Sequence, residues 1–358
     1  MNLTDVFFTS VDEGWVSGEH ATILHTQDGG STWTAQVGGD PSNNERTIAG
    51  LRFLDARHGW AAQETPVFDG SRRMLRTTDG QNWQEIGEMP RGIKDYAFTS
   101  TSHGIALSNG SIGYRAGQGA IFLTDDTGKT WKPVRACILK TTVQGLAQTA
   151  DCSFTRLRML SAVSGYALAS WRSPEAPNNN SPVIFRTDDA GRTWNYQVLP
   201  LYGAWGDADF FFTDAEHGLL VFQDGKTYAT SDGATWQPML ATTIGPQIAF
   251  ADPQVGWALA GALYTAFKIS YTTDGGRHWS TTRDLRFPGQ QNSPHMFSFP
   301  RRDRAYIIGE HGLVYRYRIV ARNYTAPNAL DAPAMPGISA LGQAGDARSA
   351  AVASNPAQ

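Results

Sequence analysis

An octad of the form T-x-D-x-G-x-T-W recurs along the chain, and a sequence that repeats so specific a string cannot fold as an ordinary single-core domain. It is complete as TQDGGSTW (residues 26–33), TDDTGKTW (124–131) and TDDAGRTW (187–194), while TTDGGRHW (272–279) carries His278 in place of the second threonine. TTDGQNW (77–83) and TSDGATW (230–236) are one residue shorter between aspartate and tryptophan. Six copies result, built on Asp28 and Trp33, Asp79 and Trp83, Asp126 and Trp131, Asp189 and Trp194, Asp232 and Trp236, and Asp274 and Trp279.

A second element precedes each octad: a bulky residue, Ser or Asp two positions on, and glycine four positions after that. It reads FTSVDEGW from Phe8, FLDARHGW from Phe53, FTSTSHGI from Phe98, MLSAVSGY from Met159, FTDAEHGL from Phe212 and FADPQVGW from Phe250. A seventh copy, FPRRDRAY from Phe299, has Ala305 where the glycine would stand. The unit count is therefore seven.

Each unit reads as a four-stranded meander with the octad as the turn between strands three and four. A short acidic side chain accepts hydrogen bonds from backbone N–H groups a few residues ahead, and the glycine after it takes φ > 0 without a Cβ penalty. The abundance of glycine (37 residues) and tryptophan (11 residues), with only 18% charged residues, suits short strands and tight turns. One meander leaves its apolar faces uncovered, so the units must stack, and a ring of them exposes only short edges. The fold class expected is all-β, a seven-bladed β-propeller over residues 1–320, with the octad aspartates and tryptophans in structural roles.

The octads are Asp boxes, and coupled to F-x-[SD]-x-x-x-G-W at this spacing the chain resembles the photosystem II stability and assembly factor family, including its relatives in bacteria that do not photosynthesise. The resemblance spans residues 3 to about 318 and implies a binding or assembly scaffold rather than an enzyme. It places the Asp boxes away from ligand sites.

Against the family pattern, the last blade is incomplete: GLVYRYRIV (residues 312–320) brings Ile319 to the position of the box aspartate, and no tryptophan follows. Either an upstream segment, with any secretion signal, supplies the closing strand, or residues after Arg322 do. The former would place the protein in the periplasm or another extracytoplasmic compartment. Residues 321–358, rich in Ala, Gly, Pro and Ser, are expected to be a disordered tail.

Aligning the first strands exposes candidate binding positions. One alternate face is apolar (Val6, Leu51, Tyr96, Leu157, Phe210, Ile248, Phe297), and the other carries Asp5, Gly50, Asp95, Arg156 and Asp209, with Arg52 two residues after Gly50 and Arg158 two after Arg156. If the innermost strands line the channel, Arg52, Asp95, Arg156, Arg158 and Asp209 sit around one mouth of it, where arginines can hold an anionic group. The plainer alternative is solvated charges paired across blades. Arg91, Lys94, Arg135 and Lys140 add a mildly basic face.

The expected partner is a protein or peptide, such as a segment of an exported or membrane complex, and the expected state is a monomer. The alternative function is a glycan-binding or sialidase-like glycoside-hydrolysing propeller, although no Arg-Ile-Pro strand exists here. A net charge of −3 gives no field for nucleic acid, and no apolar run is long enough for membrane insertion. No catalytic residue, metal or cofactor is assigned: His58, His103 and His217 each precede the repeated glycine and read as parts of the repeat. Cys137 and Cys152 lie in one connection and are a candidate disulfide. The insertion at residues 172–183 is expected to be a projecting flexible loop.

Overall fold

The repeat folds as antiparallel meanders wherever it occurs. A computed structural model of the protein describes residues 1–38, 46–65, 71–110, 118–143, 146–172, 179–201, 203–204, 208–239, 244–245, 247–260, 267–280, 283–285 and 294–318. Blade 1 is Leu3–Phe8, Gly14–Gly18, Thr22–Thr26 and Thr34–Val37, paired in that order, and the pattern repeats with innermost strands Ile48–Phe53, Ile93–Phe98, Ser153–Met159, Asp209–Phe212, Gln247–Phe250 and Pro294–Arg301. Each innermost strand lies against the next, and the seventh lies against the first, so the ring is closed.

The motif residues now have physical reasons. The Ser or Asp closes the first turn by accepting N–H groups two and three residues on, as Ser10 does from Asp12 and Glu13, and Asp55 does from Arg57 and His58. The glycine is required because the bulky residue of the same blade lies on it: a Cβ at Gly14 would sit 2.4 Å from the Phe8 ring and one at Gly59 2.3 Å from Phe53. The residue after that glycine stacks on the bulky residue of the following blade: Trp15 on Phe53, Trp60 on Phe98, Tyr166 on Phe212, Trp257 on Phe299 and Tyr306 on Phe8.

The box tryptophan meets the same phenylalanine edge-on from within the blade, at 84° for Trp33 on Phe8 and 88° for Trp83 on Phe53. In blades 1, 2, 3 and 5 one phenylalanine thus joins its own box, its own glycine and its neighbour's core, with Met159 at that position in blade 4, which is how thin sheets become a single packed ring. The box tryptophan stands at the threshold of the fourth strand rather than inside it: Trp83 opens Trp83–Glu88, while Trp33 immediately precedes Thr34–Val37.

Inside the box, Thr26 Oγ1 donates to Asp28 Oδ1 (2.9 Å), the Gly30 N–H donates to Thr26 Oγ1 (2.8 Å), and Thr32 donates its N–H to Asp28 Oδ1 (2.8 Å) and its hydroxyl to Oδ2 (2.7 Å). In the shortened box, Asn82 replaces that threonine and donates to Asp79 through its N–H (2.8 Å) and Nδ2 (2.7 Å).

Blade 7 has three strands among the described residues: Pro294–Arg301, Arg304–Gly309 and Val314–Arg318. It joins blade 1 through the Phe8–Tyr306 stack, a bond from Tyr306 Oη to the Val11 carbonyl (2.7 Å), and Arg316 Nη1 donating to the Gly29 carbonyl (3.0 Å) and to Ser31 Oγ (2.9 Å). The proposed C-terminal tail, residues 321–358, and whatever follows Arg318 in blade 7 lie outside the described residues.

Two connections differ from the plain repeat. Cys137 and Cys152 are bonded to each other at the base of a hairpin, Ile138–Val143 and Leu146–Asp151, inserted between blades 3 and 4. Closing a loop of this length stabilises a chain by about 3 kcal/mol in an oxidising compartment. Of the insertion expected as a loop at 172–183, Arg172 and residues 179–183 are strand instead: Gly165–Arg172 pairs with Asn179–Thr187 out to Arg172 opposite Asn180, with Ser181 and Val183 buried there. Residues 173–178 lie outside the described residues.

Candidate binding site at the channel mouth

In each of the six blades with an Asp box the first turn and the box sit at the same end of the meander, so residues near the start of each innermost strand face the other end. Asp5, Asp95, Arg156 and Asp209 stand there, the first three at or just beside β-bulges in blades 1, 3 and 4 and Asp209 in an unbroken register in blade 5. Neighbouring blades then bring the charges together.

Arg52 reaches both ways. Its Nη2 donates to Asp95 Oδ1 (2.8 Å), its Nε donates to the Tyr96 carbonyl (3.1 Å), its Nη1 donates to the Leu51 carbonyl (2.9 Å), and Nη1 lies 3.5 Å from Asp5 Oδ2. Asp95 also accepts the N–H groups of Tyr96 and, across the next junction, Leu157, both at 2.9 Å. Asp5 and Asp95 are buried, so of the plainer alternative the pairing across blades holds for Arg52 and the solvation does not; each carboxylate turns back onto the N–H of its own next residue, Val6 or Tyr96, as Asp209 does onto Phe210.

The second group is looser. Arg156 Nε is 3.6 Å and Arg158 Nη2 is 4.0 Å from Asp209 Oδ1, beyond good hydrogen-bond distance. The Nε of Arg158 is buried and has no hydrogen-bond partner. The Arg156 side chain is 46% exposed and that of Arg158 35%.

These surroundings set the titration of each carboxyl. Burial pushes Asp5 up to about 6, against the pull of Arg52 and the Val6 N–H. Burial also raises Asp209, opposed by Arg158 and Arg156. At Asp95 burial acts in the same upward direction, but Arg52, Arg158 and the Leu157 N–H overcome it and hold the group below the ordinary carboxylate range. Burial disfavours the charge on Arg52, yet Asp95 and Asp5 keep it above its usual value.

The other sequence-predicted positions are parts of the scaffold. Hydrogen bonds from Thr32 hold Asp28 down to about 2, as expected of a carboxylate that organises a turn. His58 and His217 contact Asp55 and Asp214 within their own turns, while His103 lies 2.6 Å from Asp125 and 2.8 Å from the Ala190 carbonyl of blade 4. Arg135 lies over Phe185 and Tyr196, and the Lys140 N–H donates to Tyr196 Oη, so this part of the basic face belongs to the blade 4 packing. What sequence reasoning missed is the division of the mouth arginines into a bonded set and a slack set.

The fold and its repeats define an Asp-box, or BNR-type, propeller similar to photosystem II assembly factors. The family described as photosynthesis system II assembly factor YCF48 matches residues 1–155. Among individual proteins, the photosystem II assembly lipoprotein Ycf48 of Trichormus variabilis is 28% identical over 321 residues, covering 88% of this chain and 83% of its own. The chloroplastic photosystem II stability/assembly factor HCF136 of Arabidopsis thaliana is 24% identical, with 88% and 75% covered. Two solved structures share the fold: YCF48 bound to D1 peptide (TM-score 0.62, 22% identity, 91% of this chain and 94% of that one) and YCF48 from Cyanidioschyzon merolae (TM-score 0.61, 18% identity, 88% and 95%).

Proposed function

We propose that the protein is a non-enzymatic scaffold that binds a polypeptide segment at the channel mouth opposite the Asp boxes, with Arg156 and Arg158 taking an anionic group of that segment beside Asp209. The observation that carries this reading is the slack guanidinium pair: donors held near a carboxylate without being satisfied by it. A carboxylate bridging two arginines gains charge-assisted bonds that water supplies poorly in a half-buried site. The relatives' names support an assembly role, and one solved neighbour is described as bound to a peptide. The partner proposed is a segment of a membrane or exported complex, met by a monomeric ring. An extracytoplasmic compartment is supported by the disulfide and by relatives named as lipoproteins.

A glycoside-hydrolysing reading is less well supported, because Asp95 is bonded to Arg52 and to two backbone N–H groups rather than poised as an acid or base. The test is a peptide array probed with the intact ring, with free-carboxylate peptides compared against their amides. Binding that prefers the carboxylate and falls at least about ten-fold in Arg156→Ala and in Arg158→Ala is expected. Failure of the array together with turnover of a glycoside would reverse the assignment.

A further inference from the structure

Asp95 and Asp209 hold the same position of the repeat, yet only the first is fully engaged. Asp95 accepts Arg52 Nη2 (2.8 Å) and the N–H groups of Tyr96 and Leu157 (2.9 Å each). Asp209 accepts the Phe210 N–H (2.9 Å) and, among the described residues, no other hydrogen bond. Its guanidinium neighbours stop at 3.6 Å (Arg156) and 4.0 Å (Arg158), and the buried Nε of Arg158 has no partner. The Asp209 side chain is nevertheless only 13% exposed. A carboxylate so far out of water, with one N–H and no close ion pair, gains little to offset its desolvation.

The charges around it pull in opposite directions. Among the described residues Arg156 and Arg158 face it from Ser153–Met159, with Asp95 beyond them, while the other strands packed against it, Gly218–Val221 and Gln247–Phe250, carry no charged residue. Burial and Asp95 favour the protonated carboxyl, the two arginines favour the ionised one, and the outcome is a group that titrates above the ordinary carboxylate value. While ionised, Asp209 competes with an incoming anion for the same two guanidinium groups. Protonation removes that competitor.

We propose that Asp209 is a proton-operated gate on the arginine pair: it takes up a proton when Arg156 and Arg158 receive an anionic group of the partner, so that group is held more tightly in acid than at neutral pH. The inference rests on the proposed use of the two arginines and adds the regulation of that site. Because the bound state favours the proton, affinity rises as pH falls through the Asp209 titration and levels off below it. Asp5 titrates near 6, but it faces Arg52, which Asp95 already engages, so its protonation leaves the arginine pair as it was.

The test uses the full chain and two probes that stay anionic throughout, methanesulfonate and a Gly-Ala-Ala-cysteic acid peptide, with the Nε–H resonances of Arg156 and Arg158 as the readout. In the unmodified protein binding should be at least about five-fold tighter at about pH 4.5 than at about pH 7.5. Asp209→Asn, which keeps an oxygen for the Phe210 N–H, should bind as tightly at both as the parent does in acid, and Asp5→Asn should keep the parent's dependence. Calorimetry of the unmodified protein in buffers of different ionisation enthalpy gives a readout free of variants: net proton uptake on binding is expected between those two pH values. Binding independent of pH, an undiminished dependence in Asp209→Asn, a dependence lost in Asp5→Asn instead, or no proton uptake would each overturn the gate and leave the arginine site standing. No binding of either probe at either pH, in the parent and in Asp209→Asn alike, would remove the arginine site and the gate with it.

Discussion

Arg52 and Arg158 occupy the same position of the repeat, two residues after an alternate-face polar position, yet the ring treats them differently. Arg52 is bonded to Asp95 and to the carbonyls of Leu51 and Tyr96, with Asp5 close by. Arg158 has one carboxylate at 4.0 Å and a buried Nε with no partner. The difference lies in the neighbours. Asp95 meets Arg52 from one side and the Leu157 N–H on the other, whereas Asp209 is shared by two arginines and bonds neither closely. Identical residue types at equivalent positions therefore make a strut in blades 1 to 3 and, in blades 4 and 5, a pair in which, among the described residues, Arg156 bonds only the Thr155 carbonyl and neither arginine bonds Asp209 closely.

The largest effect that would sharpen this contrast is expected from removing the acceptors. Asp95→Ala leaves Arg52 without its main partner and the Tyr96 and Leu157 N–H groups without acceptors in a buried place. A loss of about 3 kcal/mol is expected. Asp209→Ala removes the acceptor of the Phe210 N–H and two distant arginines, but leaves no close ion pair broken, and should cost about 1 kcal/mol. Urea unfolding of the two variants decides the matter: equal losses would break the distinction between strut and slack pair.

The disulfide gives a slightly smaller expected effect on the slack side. The hairpin it closes runs into Ser153–Met159, the strand that carries Arg156 and Arg158. Cys137→Ser with Cys152→Ser should lower stability by up to about 3 kcal/mol. If the disulfide also positions the slack arginines, the pair of substitutions weakens peptide binding; if it only staples the hairpin, thermal unfolding shifts and binding does not.

How much of this contrast was legible from residues alone depends on which bonds are local. The boxes, the seven units and the apolar faces of the innermost strands follow from spacing, because each turn is closed by bonds within five residues, as Asp28 with Thr32 shows. The reason for the repeated glycine was not legible, since it lies in the close approach of the Phe8 and Phe53 rings to Gly14 and Gly59. Nor was the partnering of Arg52, whose bond to Asp95 spans 43 residues and crosses from one blade to the next. Spacing tells which face a side chain shares; only ring closure tells which blade answers it.

Asp5 tests the strut through pH. Its folded-state value near 6 lies above the ordinary carboxylate value because burial outweighs the attraction of Arg52. Between pH 4 and 6 the folded chain therefore binds this proton more readily than the unfolded chain. Its contribution is fully present below about pH 4 and is lost as pH rises through 6. Asp5→Asn, which keeps an oxygen for the Val6 N–H, should stabilise the ring by about 2 kcal/mol at pH 7 and make no difference at pH 4. A variant less stable than the parent at pH 7 would mean that the bond to Arg52 outweighs burial and that the strut is stronger than its titration implies.

The smallest stability change is expected where binding should change most. Arg158→Gln keeps much of the side-chain volume beside Asp209 and removes a charge that makes no close bond, so unfolding should shift by no more than about 0.5 kcal/mol. Arg52→Gln, which leaves Asp95 buried beside an uncharged amide, should shift it by several times as much. For an anionic peptide the order inverts: Arg158→Gln is expected to weaken binding about ten-fold, equivalent to about 1.4 kcal/mol, with Arg52→Gln close to the parent as long as the ring is folded. Titrations at two salt concentrations distinguish a direct contact from a general field, because a loss confined to low salt indicates only long-range attraction. A loss that persists at high salt in Arg158→Gln, and is absent in Arg52→Gln, would place the anionic group on the slack pair; the opposite order would place it on the strut and remove the reason for treating the two arginines as different.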